Sequence, residues 1–220
     1  MDSIYFPVFL DLLGARVVVV GGGAEAEARV ETLLRAGARI ILVAPRATER
    51  LRMLGEQARL RWLPREYRME DLEEATAVFA ADPGPKLQHR VCADARDAGV
   101  WAHRADEPLD STFQLPQTFE RGPVQVAVHV ERGAPALKAA LIRAVADAVG
   151  IEFGVLGEWL AERRAGEELR ISGEEFQGRL AEQVMRSDVP GLLRAGGHLR
   201  ARARFEELRA QCEAEWALPR

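Results

Sequence analysis

The sequence predicts an α/β protein: a doubly wound parallel sheet, then a short pair of strands, then a helical region. Three observations predict it. Apolar, β-branched runs alternate with helical patterns through the first hundred residues. The first run stops at Gly21-Gly22-Gly23, and a helical pattern begins at once. Beyond Pro108 the alternation ceases, and beyond Ala134 only helical patterns remain.

Arg16–Val20 reads as a strand buried on both faces, because a continuous Val run leaves no polar side. Next, Ala26, Val30, Leu33 and Leu34 share one helical face, Glu31 and Arg35 form an i,i+4 pair in the favourable order, and Gly37 stands where a C-cap glycine belongs. Arg39–Val43 is a second strand, ended by Ala44-Pro45, and completes a βαβ unit. A helix over Leu51–Gln57, a short strand Leu60–Trp62, a strand Ala77–Ala81, a helix Lys86–Ala98 and a strand Gly99–His103 follow, with Leu87, Val91 and Ala95 facing inward. Repeated βα units place helices on both faces of the sheet. Ser111–Leu115 and Val124–Val130 are expected as two strands outside it, antiparallel because no helix separates them. Leu137, Leu141, Val145 and Val149 form one apolar helical stripe closed by Gly150, and Phe153, Leu156 and Leu160 continue in a second helix. Ser172 with Glu175 forms a capping box before Phe176, Leu180 and Val184. Pro190-Gly191 and Gly196-Gly197 interrupt the remainder, and Leu199–Trp216 is a last helix. The expected division is therefore 1–110 for the sheet domain, 111–150 for a two-strand-and-helix segment and 151–220 for a helical domain.

Composition narrows the function. With 48% hydrophobic and 29% charged residues the chain is an ordinary globular protein, which excludes disorder and a disulfide scaffold. The two cysteines, Cys92 and Cys212, form no C-x-x-C pattern, which excludes a zinc site of paired cysteines and points to a reducing, cytoplasmic setting. Cys92, beside inward-facing Val91, reads as packing. A net charge of −4 lacks the basic footprint of duplex binding, so no nucleic acid partner is expected. No apolar run approaches the ~20 residues of a membrane span, and the N-terminus does not read as a signal peptide.

Gly21-Gly22-Gly23-Ala24-Glu25-Ala26 is G-x-G-x-x-A, placed between a strand and a helix as the dinucleotide fingerprint requires. Gly21 serves a turn that a Cβ would obstruct, Gly23 lets a pyrophosphate approach, and Ala26 lets helix and strand pack closely. The helix N-terminus then faces the phosphates. Glu25 and Glu27 suit the helix dipole, although their charge slightly disfavours an anion. The acid expected about 20 residues on, which would hold a ribose 2′-hydroxyl, is missing. Arg46 stands there instead, a residue that suits a 2′-phosphate or simply a solvated loop. Asp106 follows the fifth strand and reads from spacing alone as a turn residue before Pro108. His89, His103, His129 and His198 show no metal-ligand spacing, and Arg200, Arg202 and Arg204, beside Glu206 and Glu207, read as a solvated helix.

Taken together these residues resemble the precorrin-2 dehydrogenase family: the stand-alone siroheme-synthesis dehydrogenases and the N-terminal part of the fused siroheme synthases. The resemblance is carried by Phe6-Pro7-Val8-Phe9-Leu10, Val19–Ala26, Leu33–Ala38, Val43-Ala44-Pro45, Arg65-Glu66-Tyr67 with Asp71-Leu72, Val78–Asp82, Asp106-Glu107-Pro108, Phe113, Pro116, Arg121-Gly122 and Val126–Val128. It spans roughly residues 4 to 149. It implies a Rossmann-type domain that binds NAD, oxidation of precorrin-2 to sirohydrochlorin, insertion of ferrous iron in some members, and a homodimer paired through the central segment. It places cofactor contacts on Gly21, Gly22, Gly23, Ala24 and Glu25, on Pro45 and Arg46, and on Ala81 and Asp82, and it makes Asp106 the catalytic aspartate. Precorrin-2 carries eight carboxylates, so Arg104 and Arg132 are the arginines expected to meet it. Where many members have a Ser-Ser-Gly-Gly-Thr-Ser-Pro run this chain has His129–Pro135. The serine phosphorylated in some fused synthases falls on His129 or Val130, so that control is not expected. No methyltransferase-like stretch follows, so a complete siroheme synthase is not expected. The rival readings are a nucleotide-sensing module without turnover and a family member that mainly chelates metal, for which His103 and His129 become relevant and the metal residues are unknown. NADP is not excluded as the cofactor.

Overall fold

The computed structural model describes residues 5–104, 110–130, 135–162 and 173–217. Contacts divide the chain into two units, Met1–Leu115 and Pro116–Arg220.

The first unit is built on β1 (Arg16–Val20), β2 (Arg39–Val43), β3 (Arg61–Leu63), β4 (Ala77–Ala80) and β5 (Trp101–Arg104), all parallel in the order β3-β2-β1-β4-β5. Val17 to Val20 are at most 1% exposed because both faces of β1 are covered, which is why the run has no polar alternation. One face carries α1 (Ala24–Arg35) and α2 (Glu49–Glu56), which bring Ala26, Val30, Leu33, Leu51 and Leu54 onto Val17, Val19, Ile40, Leu42 and Phe79. The other carries α3 (Pro85–Asp97), with Val91, Cys92 and Ala95 against Val18, Val20, Val78 and Ala102. The chain leaves β1 toward β2 on one side and returns to β4 on the other. The topological switch point therefore lies between β1 and β4, where ligands bind beyond the strand ends.

Three expectations in this unit meet the structure. Gly37 sits just past α1 with φ +72°, as a C-cap glycine does. Glu31 bonds Arg50 of α2 at 3.4 Å, and the i,i+4 pair on α1 is instead Glu25–Arg29 at 3.0 Å. Ser111–Leu115 is not a strand. Its hydroxyls stand in for ladder partners along the free edge of β5: Ala102 N donates to Thr112 Oγ1 at 2.8 Å, Arg104 N donates to Ser111 Oγ at 2.8 Å, and Thr112 N returns a bond to the Ala102 carbonyl at 2.9 Å.

The second unit opens with an antiparallel hairpin, β6 (Gln117–Arg121) and β7 (Val124–Val128), in register Gln117↔Val128 to Arg121↔Val124. Next come α4 (Pro135–Ala148), α5 (Ile151–Ala161), α6 (Glu174–Arg186), α7 (Val189–Arg194) and α8 (His198–Ala217). The predicted division near 150 falls inside this unit, because Gly154 lets α5 press its backbone onto the hairpin turn, with no room for a Cβ beside the Arg121 carbonyl. Leu156, Phe176, Leu180, Val184, Leu193 and Phe205 form its core. Pro190-Gly191 opens α7 rather than breaking a helix, since a proline in the first turn loses no intrahelical bond. Gly173 precedes α6, and Ser172 of the expected capping box lies outside the described residues. Arg202 pairs with Glu162 and Glu206, and Arg204 with Glu207 and Asp188, so this basic run belongs to an ion-paired helix. Among the described residues between 116 and 150 none is buried, and Leu137 and Leu141 of α4 are 50% and 39% exposed.

Candidate functional site

The glycine turn follows β1 directly at the switch point. Gly21 holds φ +124°, and a Cβ there would lie 2.6 Å from the Ala81 carbonyl and 2.7 Å from Asp82 N. Only glycine permits both the backbone angle and this approach to the end of β4. A Cβ on Gly22 would overlap the carbonyl oxygen of Arg46. The loop after β2 is thus pressed onto the turn, and Thr48 N donates to the Gly22 carbonyl at 2.9 Å. Gly23 differs: nothing lies within 4 Å of its Cβ position, and its φ of −90° suits any residue. The third glycine therefore answers to no need of the protein's own packing. It leaves open space at the N-terminus of α1, where backbone N–H groups and the helix dipole favour phosphate. That is a cradle a side chain would fill, so the residues present fit a dinucleotide.

The flanks of the cradle are built from three strand ends. Pro45 and Arg46 are exposed beyond β2, and no acid stands between Ala44 and Thr48. Thr48 caps α2 by accepting from Leu51 N, and its hydroxyl donates to Glu27 at 2.6 Å, tying α2 to the first turn of α1. Ala81 closes the turn from below, and Asp82 accepts from Gly84 N at 2.8 Å and from buried Gln88 through its carbonyl at 2.6 Å. Ala24 and Glu25 form the first residues of α1, with Glu25 engaged by Arg29.

On β5, His103 is 8% exposed and faces Phe79 and Phe113, with ring centroids at 5.9 and 5.6 Å. Arg29 lies over Phe79 at 5.5 Å. Burial, and then the Arg29 charge, push the His103 imidazole down to about 4, so it is neutral at physiological pH. Arg104 faces the opposite side of the sheet and is 8% exposed, with Nη1 2.5 Å from Asp110. Asp106 and Arg132 lie outside the described residues. His103 and His129 belong to different units. Among the described residues no three His, Cys, Asp or Glu side chains converge to hold a metal ion, and no helix is long and apolar enough to cross a membrane.

Away from the site, Arg65 bonds Asp71 through both carboxylate oxygens at 2.5 and 2.8 Å. Burial pushes the Asp71 carboxyl up, but Arg65 and the Arg68 N–H hold it below its ordinary value. The Arg65–Leu72 stretch is thus a structural lock on the crossover from β3 to β4. The structure adds Thr48, Arg29, Gln88 and Asp110 to the residues that shape the strand ends. Only Thr48 carried a signal in the sequence, as a capping residue ahead of an acidic helical turn.

An open parallel sheet with a glycine turn at its switch point and an empty-sided third glycine defines a dinucleotide-binding protein. Residues 8–117 match a family model described as NAD(P)-binding, and the chain belongs to that family. The siroheme synthase of Xylella fastidiosa (strain M12) is 31% identical over 209 residues, covering 94% of this chain and 44% of the relative. Siroheme synthase 1 of Serratia proteamaculans (strain 568) is 34% identical over 190 residues, covering 82% and 40%. The chain spans less than half the length of these relatives. Among solved structures, SirC, a precorrin-2 dehydrogenase, superposes with a TM-score of 0.74 at 21% identity, over 92% of this chain and all of that one, and shares the fold.

Proposed function

We propose that the chain oxidises precorrin-2 to sirohydrochlorin with NAD, a step of siroheme biosynthesis. The observation that carries this is the Gly21–Gly23 turn, closed to side chains at Gly21 and Gly22 and open at Gly23. The names of its relatives supply the substrate. When bound, the nicotinamide supplies a hydride acceptor. The glycine turn and the first turn of α1 would hold the pyrophosphate, with the β4 end at Ala81-Asp82 against Gly21 beside it. Asp106, two residues beyond the end of β5, is the base: it takes the proton as the hydride leaves the macrocycle. His103, neutral at physiological pH, and Phe113 pack together on one face of β5. Holding donor and acceptor within reach supplies much of the rate. Arg104 and Arg132 are the arginines proposed to face the substrate carboxylates, Arg104 while it also serves Asp110. Arg46 stands where a 2′-phosphate would lie, so NADP is admitted as well as NAD.

The working form is a homodimer. Leu137 and Leu141 on α4, with no buried residue among those described between 116 and 150, leave an apolar face that a second copy covers through a two-fold axis. Light scattering at micromolar concentration should give twice the chain mass. Mixing protein, precorrin-2 and NAD and following NADH absorbance tests the activity. A protein that binds NAD without turnover would instead be a nucleotide-sensing module.

A further inference from the structure

We infer that Thr48 is a positioning residue for the cofactor: with Glu27 as its partner, it latches the loop that carries Pro45 and Arg46 onto the glycine turn. This rests on the proposed reading of that turn as the seat of a dinucleotide.

Pro45, Arg46 and Ala47 lie between Ala44 and Thr48, and no hydrogen bond joins any of the three to another described residue. The stretch is fastened at its two ends. On the β2 side, Ala44 N donates to the Leu63 carbonyl at 3.2 Å, and the Ala44 carbonyl accepts from Trp62 Nε1 at 3.0 Å. On the α2 side the fastening falls on Thr48. Its N–H donates to the Gly22 carbonyl at 2.9 Å, its hydroxyl donates to Glu27 at 2.6 Å, and the same oxygen accepts from Leu51 N at 3.3 Å. Between the two fastenings the Arg46 carbonyl occupies the space a Gly22 Cβ would need.

This is more than α2 itself requires. Capping needs only an oxygen that accepts from Leu51 N, and Leu51 and Leu54 already fix the helix on the core. The bond to Glu27 runs the other way, from the start of α2 back to the first turn of α1. A carboxylate in that turn opposes phosphate by its charge, so anion binding alone gives no reason for it. What Glu27 supplies is a charged acceptor, which holds the Thr48 hydroxyl more firmly than a neutral one would. In a dinucleotide site the end of β2 meets the adenosine ribose while the glycine turn meets the pyrophosphate. The latch therefore sets the spacing of these two contacts before the ligand arrives, and a loop ordered in advance spares the ligand the cost of ordering it.

The test compares Thr48→Val, which keeps the shape and the N–H but loses the hydroxyl, with Thr48→Ser, which keeps both polar groups. In Thr48→Val the Kd for NAD, measured by titration calorimetry, should rise roughly tenfold, the weight of one hydrogen bond to a charged group. KM for NAD in precorrin-2 oxidation should rise by a similar factor while kcat holds. Thr48→Ser should bind NAD within about twofold of the parent. Loss of the cap should lower the melting temperature of Thr48→Val by about 2–4 °C, and a structural role alone would show that shift with affinity unmoved. Glu27→Ala keeps the cap and opens the latch, so it decides the matter even if Thr48→Val does not fold. Removing a carboxylate from the cradle would by itself tighten NAD, so weaker binding in Glu27→Ala is the signature of the latch. NAD bound by Thr48→Val within about twofold of the parent, by Thr48→Ser as poorly as by Thr48→Val, or by Glu27→Ala as tightly as by the parent or more so, would overturn the inference. A parent that binds NAD but oxidises no precorrin-2 refutes the oxidation and leaves the calorimetry to decide the latch. A parent that binds neither NAD nor NADP refutes the dinucleotide site and the latch with it.

Discussion

Gly23→Val separates the needs of the fold from the needs of a ligand. In the protein alone the position is open: no atom lies within 4 Å of a Cβ, and φ −90°, ψ −169° is extended backbone that valine adopts readily. The substitution reduces unfolded-state freedom, which stabilises by up to about 1 kcal/mol. Valine is a poorer N-cap than glycine, which offsets that gain by a similar amount. The melting temperature should therefore move by no more than ~4 °C, at roughly 2–4 °C per kcal/mol for a chain of this size. Binding should behave differently. An isopropyl group in the cradle holds the pyrophosphate off the α1 N–H groups, and NAD affinity should fall at least ~100-fold, about 2.8 kcal/mol at 1.4 kcal/mol per decade. Gly22→Ala is the mirror experiment, because its Cβ overlaps the Arg46 carbonyl and costs about 1–3 kcal/mol of stability as overpacking does. Titration calorimetry and thermal unfolding on the same preparations read both. Unchanged NAD affinity in Gly23→Val would refute the reasoning and move the cofactor elsewhere.

Three further outcomes follow from the same geometry. Arg46→Asp should shift the ratio of NADP to NAD affinity toward NAD, since an acid at the end of β2 accepts from a ribose hydroxyl and repels a 2′-phosphate; an unmoved ratio removes Arg46 from the ribose site. Asp106→Asn should leave NAD affinity in place and lower turnover by roughly 10²–10⁴, as loss of a positioned base does, with any insertion of ferrous iron or cobalt falling alongside it; a rate near the parent's would make Asp106 a turn residue. His103 binds its proton near pH 4 when folded and near 6.5 when unfolded, so the unfolded chain holds more protons in between. Its contribution to stability is therefore full above about pH 7 and declines as pH falls from 6.5 to 4, by on the order of 3 kcal/mol. His103→Phe should lose this part of the acid dependence, measured as the difference between the two unfolding curves.

The parallel sheet was readable because buried strands and amphipathic helices carry different periods, and Val17–Val20, Ile40–Val43 and Val78–Ala80 are too apolar to be anything but central strands. The glycine turn was readable in part. Its pattern predicted the obstruction at Gly21 and the opening at Gly23, but the Arg46 carbonyl that excludes a side chain from Gly22 comes from a loop more than 20 residues away. Ser111–Leu115 misled because its alternation is that of a strand, while its two hydroxyls satisfy β5 without one. Glu31 chose Arg50 over Arg35 because α2 packs beside α1, a tertiary contact that no local spacing encodes. The partners of Asp110 were hidden for the same reason: His89 and Arg96 lie 21 and 14 residues away along the chain.

The glycine turn at the switch point is proposed to serve the oxidation of a tetrapyrrole. The most direct measurement is NADH formation by the purified protein with precorrin-2 and NAD, run beside Gly23→Val. NADH should form with the parent, sirohydrochlorin appearing mole for mole, and neither with the variant. NAD bound tightly by the parent with no NADH formed, or equal turnover by parent and variant, would contradict it.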